Sequence, residues 1–262
     1  MSPAGKEDKK GGYPGPKGPR CRTGIEGLDK ILNGGIPVGN SVLLTGACGT
    51  GKTTLSVEFL NFGAQQGETG LFLAVTEHAQ KVIENMKTYE FFDSRLLDGK
   101  KMQFLDMSAV YEKLGLEKTE FSHEDVLALT KGLADMVKET GARRLVIDSI
   151  TGILLQIKAK ERIRDFMSRL SRKLTEAGCT TLFVSEIPPG ETHYSSFGVE
   201  EAVADGIIVL GNLDQRGYLL RTLHVVKMRG TPHSRSKYVI DLTPYGIIIV
   251  PLLRSSAAGQ TA

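Results

Sequence analysis

Residues 46–53 read Gly-Ala-Cys-Gly-Thr-Gly-Lys-Thr, and no other eight residues restrict the fold of this chain as tightly. They match G-x-x-x-x-G-K-[ST], a turn that holds phosphate oxygens only when a strand leads into it and a helix leaves it. Both flanks agree. Residues 41–45 (Ser-Val-Leu-Leu-Thr) are a short apolar run, and residues 54–60 (Thr-Leu-Ser-Val-Glu-Phe-Leu) carry helical spacing with no breaker. The glycines let backbone N–H groups turn inward around phosphate, and the helix N-terminus adds partial positive charge. On this pattern Gly46, Gly49, Thr50, Gly51, Lys52, Thr53 and Thr54 are expected to cradle the phosphates of a nucleotide. Lys52 would reach the β- and γ-phosphates, and the Thr53 hydroxyl would face Mg²⁺.

The rest of the chain has the material such a site needs. Its 262 residues, 40% hydrophobic, suit one large α/β domain. It has no run of about 18 or more apolar residues, so no membrane span is expected. Nor does the N-terminus carry the apolar segment of a secretory signal. Cys21, Cys48 and Cys179 are too few and too scattered for a disulfide framework or a zinc site, which suggests a reducing, cytoplasmic setting. Cys48 sits inside the loop, where oxidation would obstruct phosphate. The alternative, a tolerated small filler, is favoured by the absence of a second thiol nearby in sequence.

Charge is uneven. Residues 1–22 hold Lys6, Lys9, Lys10, Lys17, Arg20 and Arg22 against Glu7 and Asp8, a surplus of four in a chain of net charge +3, so the remaining 240 residues sum to −1. The folded part therefore lacks the basic balance usual in nucleic-acid binders. Residues 1–20, rich in proline and glycine, are expected to be a disordered basic tail, and 254–262 a flexible C-terminus.

Apolar runs and helical stretches alternate beyond the loop. Strands are expected at 71–76, 103–106, 145–148, 181–185 and 207–210, and helices at 54–66, 79–90, 123–139 and 161–176. Strands separated by helices of this length imply a mainly parallel sheet covered on both faces. The style then changes: 218–228, 238–242 and 246–250 are apolar segments with short connections, expected as an antiparallel extension. Upstream, residues 23–37 read as a short helix stopped by Gly34-Gly35, with a turn over 37–39.

Three strand ends carry acids. Asp148 closes the apolar strand Leu-Val-Ile-Asp and is the expected second acid that holds Mg²⁺ beside Thr53. Glu77 follows the strand at 71–76, at the carboxyl edge where open α/β sheets bind ligands, and is the candidate for positioning the attacking water. It could instead be a solvated acid capping the next helix. Glu186 ends another strand and could orient water or sense phosphate. Near the C-terminus, Lys227 and Arg229 stand two apart on a strand, hence on one face. Two adjacent cations require an anion opposite. A triphosphate would serve, supplied across a subunit boundary if the fold does not return these residues to their own loop. A salt-bridged edge strand is the alternative.

These residues together resemble the KaiC-like branch of the RecA/RadA ATPase superfamily. The resemblance covers residues 22–252. It rests on Thr-Gly-Ile-Glu-Gly-Leu-Asp at 23–29, the phosphate loop, Val-Ile-Asp-Ser at 146–149, Gly-Val-Glu-Glu-Ala-Val-Ala-Asp-Gly at 198–206, and Lys-Met-Arg-Gly-Thr at 227–231 with His233. It implies a RecA-like domain over 21–253, stacking into a ring, usually a hexamer, with ATP between subunits. The family's cation segment, here Lys227, Met228, Arg229, Thr231 and His233, touches the neighbour's nucleotide. Thr88 and Thr243 are placed near base or ribose by the same likeness. Where the family commonly has two adjacent glutamates after the second strand, this chain has Thr76 and Glu77. If the first position supplies the base, hydrolysis is slow.

The resulting expectation is a slowly hydrolysing ring ATPase, with Glu77, Lys52, Lys227 and Arg229 catalytic, acting as a regulatory switch on an unidentified protein partner. Two other readings compete. A recombinase-like DNA filament would use two loops. Residues 156–164 carry Lys158, Lys160, Arg162 and Arg164, but 187–197 has no Lys or Arg, and this disfavours DNA. A nucleotide-dependent scaffold with negligible turnover is the third, motivated by Thr76.

Overall fold

The computed structural model of the protein describes residues 18–187, 193–215 and 217–252. The tail expected over 1–20 lies outside these residues except for 18–20, and the stretch 254–262 lies wholly outside them. In chain order the elements are β1 (Arg20–Cys21), α1 (Glu26–Ile31), β2 (Ile36–Pro37), β3 (Ser41–Gly46), α2 (Lys52–Gln65), β4 (Gly70–Ala74), α3 (Ala79–Met86), α4 (Arg95–Asp98), β5 (Met102–Asp106) and α5 (Met107–Leu114). They continue with α6 (His123–Thr140), β6 (Arg144–Asp148), α7 (Ile150–Ile157), α8 (Lys160–Glu176), β7 (Thr180–Glu186), α9 (Glu200–Val203), β8 (Gly206–Gln215), β9 (Tyr218–Met228), β10 (Tyr238–Thr243) and β11 (Gly246–Pro251).

Among the described residues one nine-stranded sheet runs β11-β10-β9-β8-β3-β7-β6-β4-β5. The six strands from β8 to β5 are parallel, and β9, β10 and β11 extend the sheet antiparallel. The parallel strands read as unbroken apolar runs because both faces are covered. Alternate residues divide accordingly. Val42, Leu44, Phe72, Val146, Leu182 and Val184 pack on the α1–α2–α3 side. Leu43, Leu71, Leu73, Leu145, Ile147 and Phe183 pack on the side of α6, α7 and α8.

Local chemistry sets the helix ends. Ser122 and Asp125 form a reciprocal capping box at the start of α6, and Gly141 closes it in the left-handed conformation. The helix expected over 79–90 stops at Met86. Thr88 Oγ1 donates to Asn85 O at 2.7 Å, and the chain turns so that Phe92 enters the core. A larger departure concerns residues 156–164, read from sequence as a cationic loop. They are the end of α7, a two-residue link and the start of α8. Lys158 is held by Glu120 at 2.6 Å, and Arg162 donates to Phe121 O at 3.0 Å, so two of the four cations are already engaged. Part of the second expected loop, residues 188–192, lies outside the described residues.

Helix α2 is buried nearly all round, with the sheet on one side and the β10–β11 hairpin on the other. Glu58 therefore becomes an interior group whose Oε2 accepts the Ile247 N–H at 2.9 Å. Burial pushes its carboxyl up from 4.5 to about 7, against the pull of that hydrogen bond. The folded chain thus binds the proton more tightly than the unfolded chain. Its contribution to stability is complete below the unfolded value and is lost as pH rises through the folded one. Glu58→Gln keeps an acceptor for Ile247 and cannot ionise. It is expected to change little near pH 4 and to stabilise by up to about 3 kcal/mol near pH 9. Urea unfolding at both pH values measures this, and a difference independent of pH would contradict it.

Candidate active site

Strand β3 delivers the chain to the phosphate loop, and α2 starts from Gly51, which is left-handed at φ 98°. Gly46 has no room for a side chain, since a Cβ there would lie 2.2 Å from Leu210 O of the adjacent β8. The cleft above the loop has a volume of about 320 Å³ and is lined by Gly49, Lys52, Thr53, Thr76, Glu77, Asp148, Glu186 and Leu242, among others. Gly51 and Thr54 also line it, whereas Thr50 is buried and ties the loop by donating to Ala47 O at 2.8 Å.

Lys52 curls over its own loop, donating to Gly46 O at 2.8 Å and Ala47 O at 2.9 Å. Burial lowers its pKa, opposed by the charges of Glu186 and Asp148. Thr53 Oγ1 donates to Asp148 Oδ2 at 2.7 Å across 95 residues of sequence. Burial also raises the Asp148 carboxyl, with Glu186 and Glu77 adding to the rise while Thr53 and Lys52 counter it. One acid on the hydroxyl, two more lining the same cleft and a single lysine beside them form a hard-oxygen, negatively charged corner that suits Mg²⁺. This ion typically takes one or two protein ligands and completes its shell with water and phosphate. Thr53 and Asp148 fit that role. Among the described residues no group of three or more His, Cys, Asp or Glu could hold a metal. The peptide between Asp148 and Ser149 is cis.

Glu77 reaches the cleft, and the cap of α3 is supplied elsewhere. The Ala79 N–H donates to Asp106 Oδ1 at 2.7 Å, while Glu77 pairs with Lys81 at 3.0 Å. Thr76 stands beside it, exposed at the rim. Thr88 lies on an exposed turn outside the lining, although its loop is pinned to the β10–β11 turn by Glu90 N–H to Pro244 O at 2.7 Å. Thr243 sits in that same turn with its hydroxyl donating to Gly246 O at 2.7 Å, and its neighbour Leu242 forms the cleft wall.

The C-terminal cations lie elsewhere. Gly46 aligns with Leu210 and through it with Leu223, whereas Met228 aligns with Gly206 and through it with Val42. Four residues of strand separate those levels, about 13 Å along the sheet. Lys227 and Arg229 thus occupy the edge opposite the loop of their own chain. They share one face, as their spacing requires. Lys227 Nζ donates to Glu201 O at 3.1 Å and Ala204 O at 2.6 Å, and Arg229 pairs with Asp205 at 3.1 Å. Burial lowers the Lys227 pKa, and the Arg229 charge lowers it further. Met228 is buried. Thr231 is held by the Arg20 guanidinium, and His233 Nδ1 lies 3.2 Å from Ser234 O.

One cation that does reach the loop escaped the sequence reading. Arg221, in the first half of β9, donates from Nε to Gly49 O at 3.2 Å. Nothing local marks it, because its position follows from the antiparallel return of β9 along β8.

Known proteins resemble this chain along most of its length. A family profile described as "ATPase: KaiC" matches residues 21–254. A UPF0273 protein of Thermotoga maritima is 40% identical over 238 residues, which is 88% of this chain and 96% of that protein. The circadian clock oscillator protein KaiC of Synechococcus elongatus is 35% identical over 234 residues, 89% of this chain and 44% of that longer protein. The crystal structure of a KaiC-like protein from Pyrococcus horikoshii superposes with a TM-score of 0.76 at 33% identity, covering 90% of this chain and all of that one. Matched by that profile over residues 21–254 and by the Thermotoga maritima relative along most of its length, the chain belongs to the KaiC ATPase family.

Proposed function

We propose that this protein binds Mg-ATP at the 46–53 loop and hydrolyses it slowly, with the site completed by a neighbouring subunit in a ring, most simply a hexamer. The 2.7 Å bond from Thr53 to Asp148 carries the catalytic reading. It joins the loop hydroxyl to the strand-end acid at the point where the metal would sit between them and the phosphates. When bound, Mg²⁺ supplies charge neutralisation at the β- and γ-oxygens. Glu77 takes the proton of the attacking water as its oxygen bonds to the γ-phosphorus, the bond to the β-phosphate oxygen breaks, and ADP leaves with Lys52 holding its charge. Thr243 and the 88–90 loop border the base and ribose.

The ring follows from a different observation. Lys227 and Arg229 cannot reach their own loop, yet they stand on the sheet edge that a head-to-tail neighbour would present to the next cleft, together with Met228, Thr231 and His233. Arg229→Ala should then lower turnover on the order of 10³-fold, as loss of an arginine finger does, although the residue is remote from its own loop. ATP turnover under saturating Mg-ATP tests this, and an unchanged rate would refute the trans role. Since the phosphate contacts would order the subunit boundary and hydrolysis would release it, the ring would behave as a nucleotide-timed switch for a protein partner.

The scaffold reading draws support from Thr76 and from the Glu77–Lys81 pair, which offsets the base. Measurable turnover that depends on Glu77 excludes it.

A further inference from the structure

Two ends of the molecule that look independent are joined by a path of hydrogen bonds linked through adjacent backbone residues. It starts at Lys52. The Gly46 carbonyl accepts both the Lys52 ammonium at 2.8 Å and the Ile187 N–H at 3.3 Å, so the lysine and the end of β7 share one acceptor. One residue back, the Glu186 N–H donates to Thr151 Oγ1 at 3.4 Å, and Glu186 O accepts Ser196 Oγ at 2.8 Å. Thr151 Oγ1 also lies 3.3 Å from both Ser185 Oγ and Ser196 Oγ, which makes this α7 hydroxyl the hub of the junction.

The adjacent residue continues the path. Ser195 Oγ donates to Glu200 Oε2 at 2.9 Å and lies within 3.3 Å of Glu201 Oε1. Glu200 is 0% exposed, yet its carboxylate is fully employed. Besides Ser195 it takes the N–H groups of Phe197 at 3.4 Å and Val199 at 3.1 Å, which fixes the turn into α9. Helix α9 then holds the far end, since its Glu201 O and the following Ala204 O are the two acceptors of Lys227 Nζ. A buried carboxylate serving three donors is costly to disturb, so displacement at one end is transmitted rather than absorbed.

We propose that this path makes each subunit's own nucleotide site control the cations it offers to the next. Thr151 and Glu200 act as positioning residues. The two-state element is Lys52, whose ammonium lies either on the Gly46 and Ala47 carbonyls or on phosphate. Its departure leaves Gly46 O to Ile187 alone, shifts the end of β7, and resets through Ser196, Ser195 and α9 the carbonyl pair that holds Lys227. This inference rests on the trans role of Lys227 and Arg229 given above, and goes beyond it by linking successive sites around the ring.

Mixed rings test it. Gly49→Leu chains, shown not to bind nucleotide, tagged and assembled with unaltered chains, keep Lys52, Lys227 and Arg229 but fill the open space over the loop, so phosphate cannot draw the lysine off its carbonyls. If donors act regardless of their own site, rings half composed of altered chains retain about half the turnover of unaltered rings. If donation requires an occupied donor, both neighbours must be intact, and about a quarter remains. Thr151→Val in every chain removes the hub hydroxyl with little change of volume. Normalised to undoped Thr151→Val rings, the half-doped value is expected to return to about half. A linear response in unaltered rings would overturn the coupling. So would a quarter persisting with Thr151→Val, because the path would then not run through that hydroxyl. Neither outcome touches the trans reading, which fails separately if Arg229→Ala turns over normally.

Discussion

Lys52→Ala is expected to lower ATP turnover by on the order of 10³-fold while leaving the fold as stable as before. The two halves of this expectation come from the same contacts. In the loop the ammonium is buried, and burial lowers its pKa, so its removal relieves a desolvation cost. Neither of its acceptors is stranded: Gly46 O keeps the Ile187 N–H, and Ala47 O keeps the Thr50 hydroxyl at 2.8 Å. Equilibrium unfolding and turnover on the same sample separate the two. Loss of both together would mean that the lysine is structural. Glu77→Gln gives the complementary result, retaining ATP binding and losing about 10²–10⁴-fold in rate. Unchanged turnover in that variant would move the base elsewhere, with Glu186 the remaining acid on the cleft wall.

Arg144→Ala is expected to cost about 3–5 kcal/mol of stability, the largest effect of any single change outside the cleft. Although it opens a strand, Arg144 is only 2% exposed. Its guanidinium donates to Arg22 O and Phe59 O, both at 2.8 Å, and pairs with Glu68 at 2.5 Å. It also lies 4.6 Å from the centre of the Phe59 ring. Gly63 on α2 admits this close approach, because a Cβ there would fall 2.1 Å from Arg144 Nε. Truncation removes a buried guanidinium from a partly exposed Glu68 and from two backbone carbonyls, opens a cavity between β6 and α2, and frees the segment before α1. Thermal unfolding should fall by roughly 10 °C for a chain of this size. Arg144→Met, which refills the space without the charge, should recover part of the loss. A fall of less than about 1 kcal/mol for the alanine variant would place the pair among ordinary surface bridges.

Arg144 also marks where the sequence stops being legible. The parallel strands were readable because burial on both faces leaves mainly apolar side chains between their ends, and the phosphate loop because its glycines and lysine have one joint use. Asp148 and Glu77 followed from strand ends. Arg144 precedes the expected strand at 145–148, where a cation would ordinarily be solvated, and only α2 and the 22–23 segment folding over it make it interior. Glu58 was hidden for the same reason: helical periodicity assigns one face to a core, and here a second layer, the β10–β11 hairpin, covers the other. Arg221 depends on the register of β9 against β8, which no local pattern states. The cationic stretch at 156–164 misled in the opposite sense, because its charges belong to a helix–helix junction and its apolar residues, Ile157 and Ile163, are core.

The placement of Lys227 and Arg229 was legible only as a conditional. Their spacing gave a shared face, and the sheet register then put that face at the wrong edge for their own loop. The central claim, that the site is complete only between two chains, is tested most directly by measuring turnover per chain against protein concentration, with molecular mass followed by light scattering in Mg-ATP. Turnover per chain is expected to collapse together with the mass as rings dissociate on dilution. A monomer that hydrolyses ATP at the undiluted rate would contradict it.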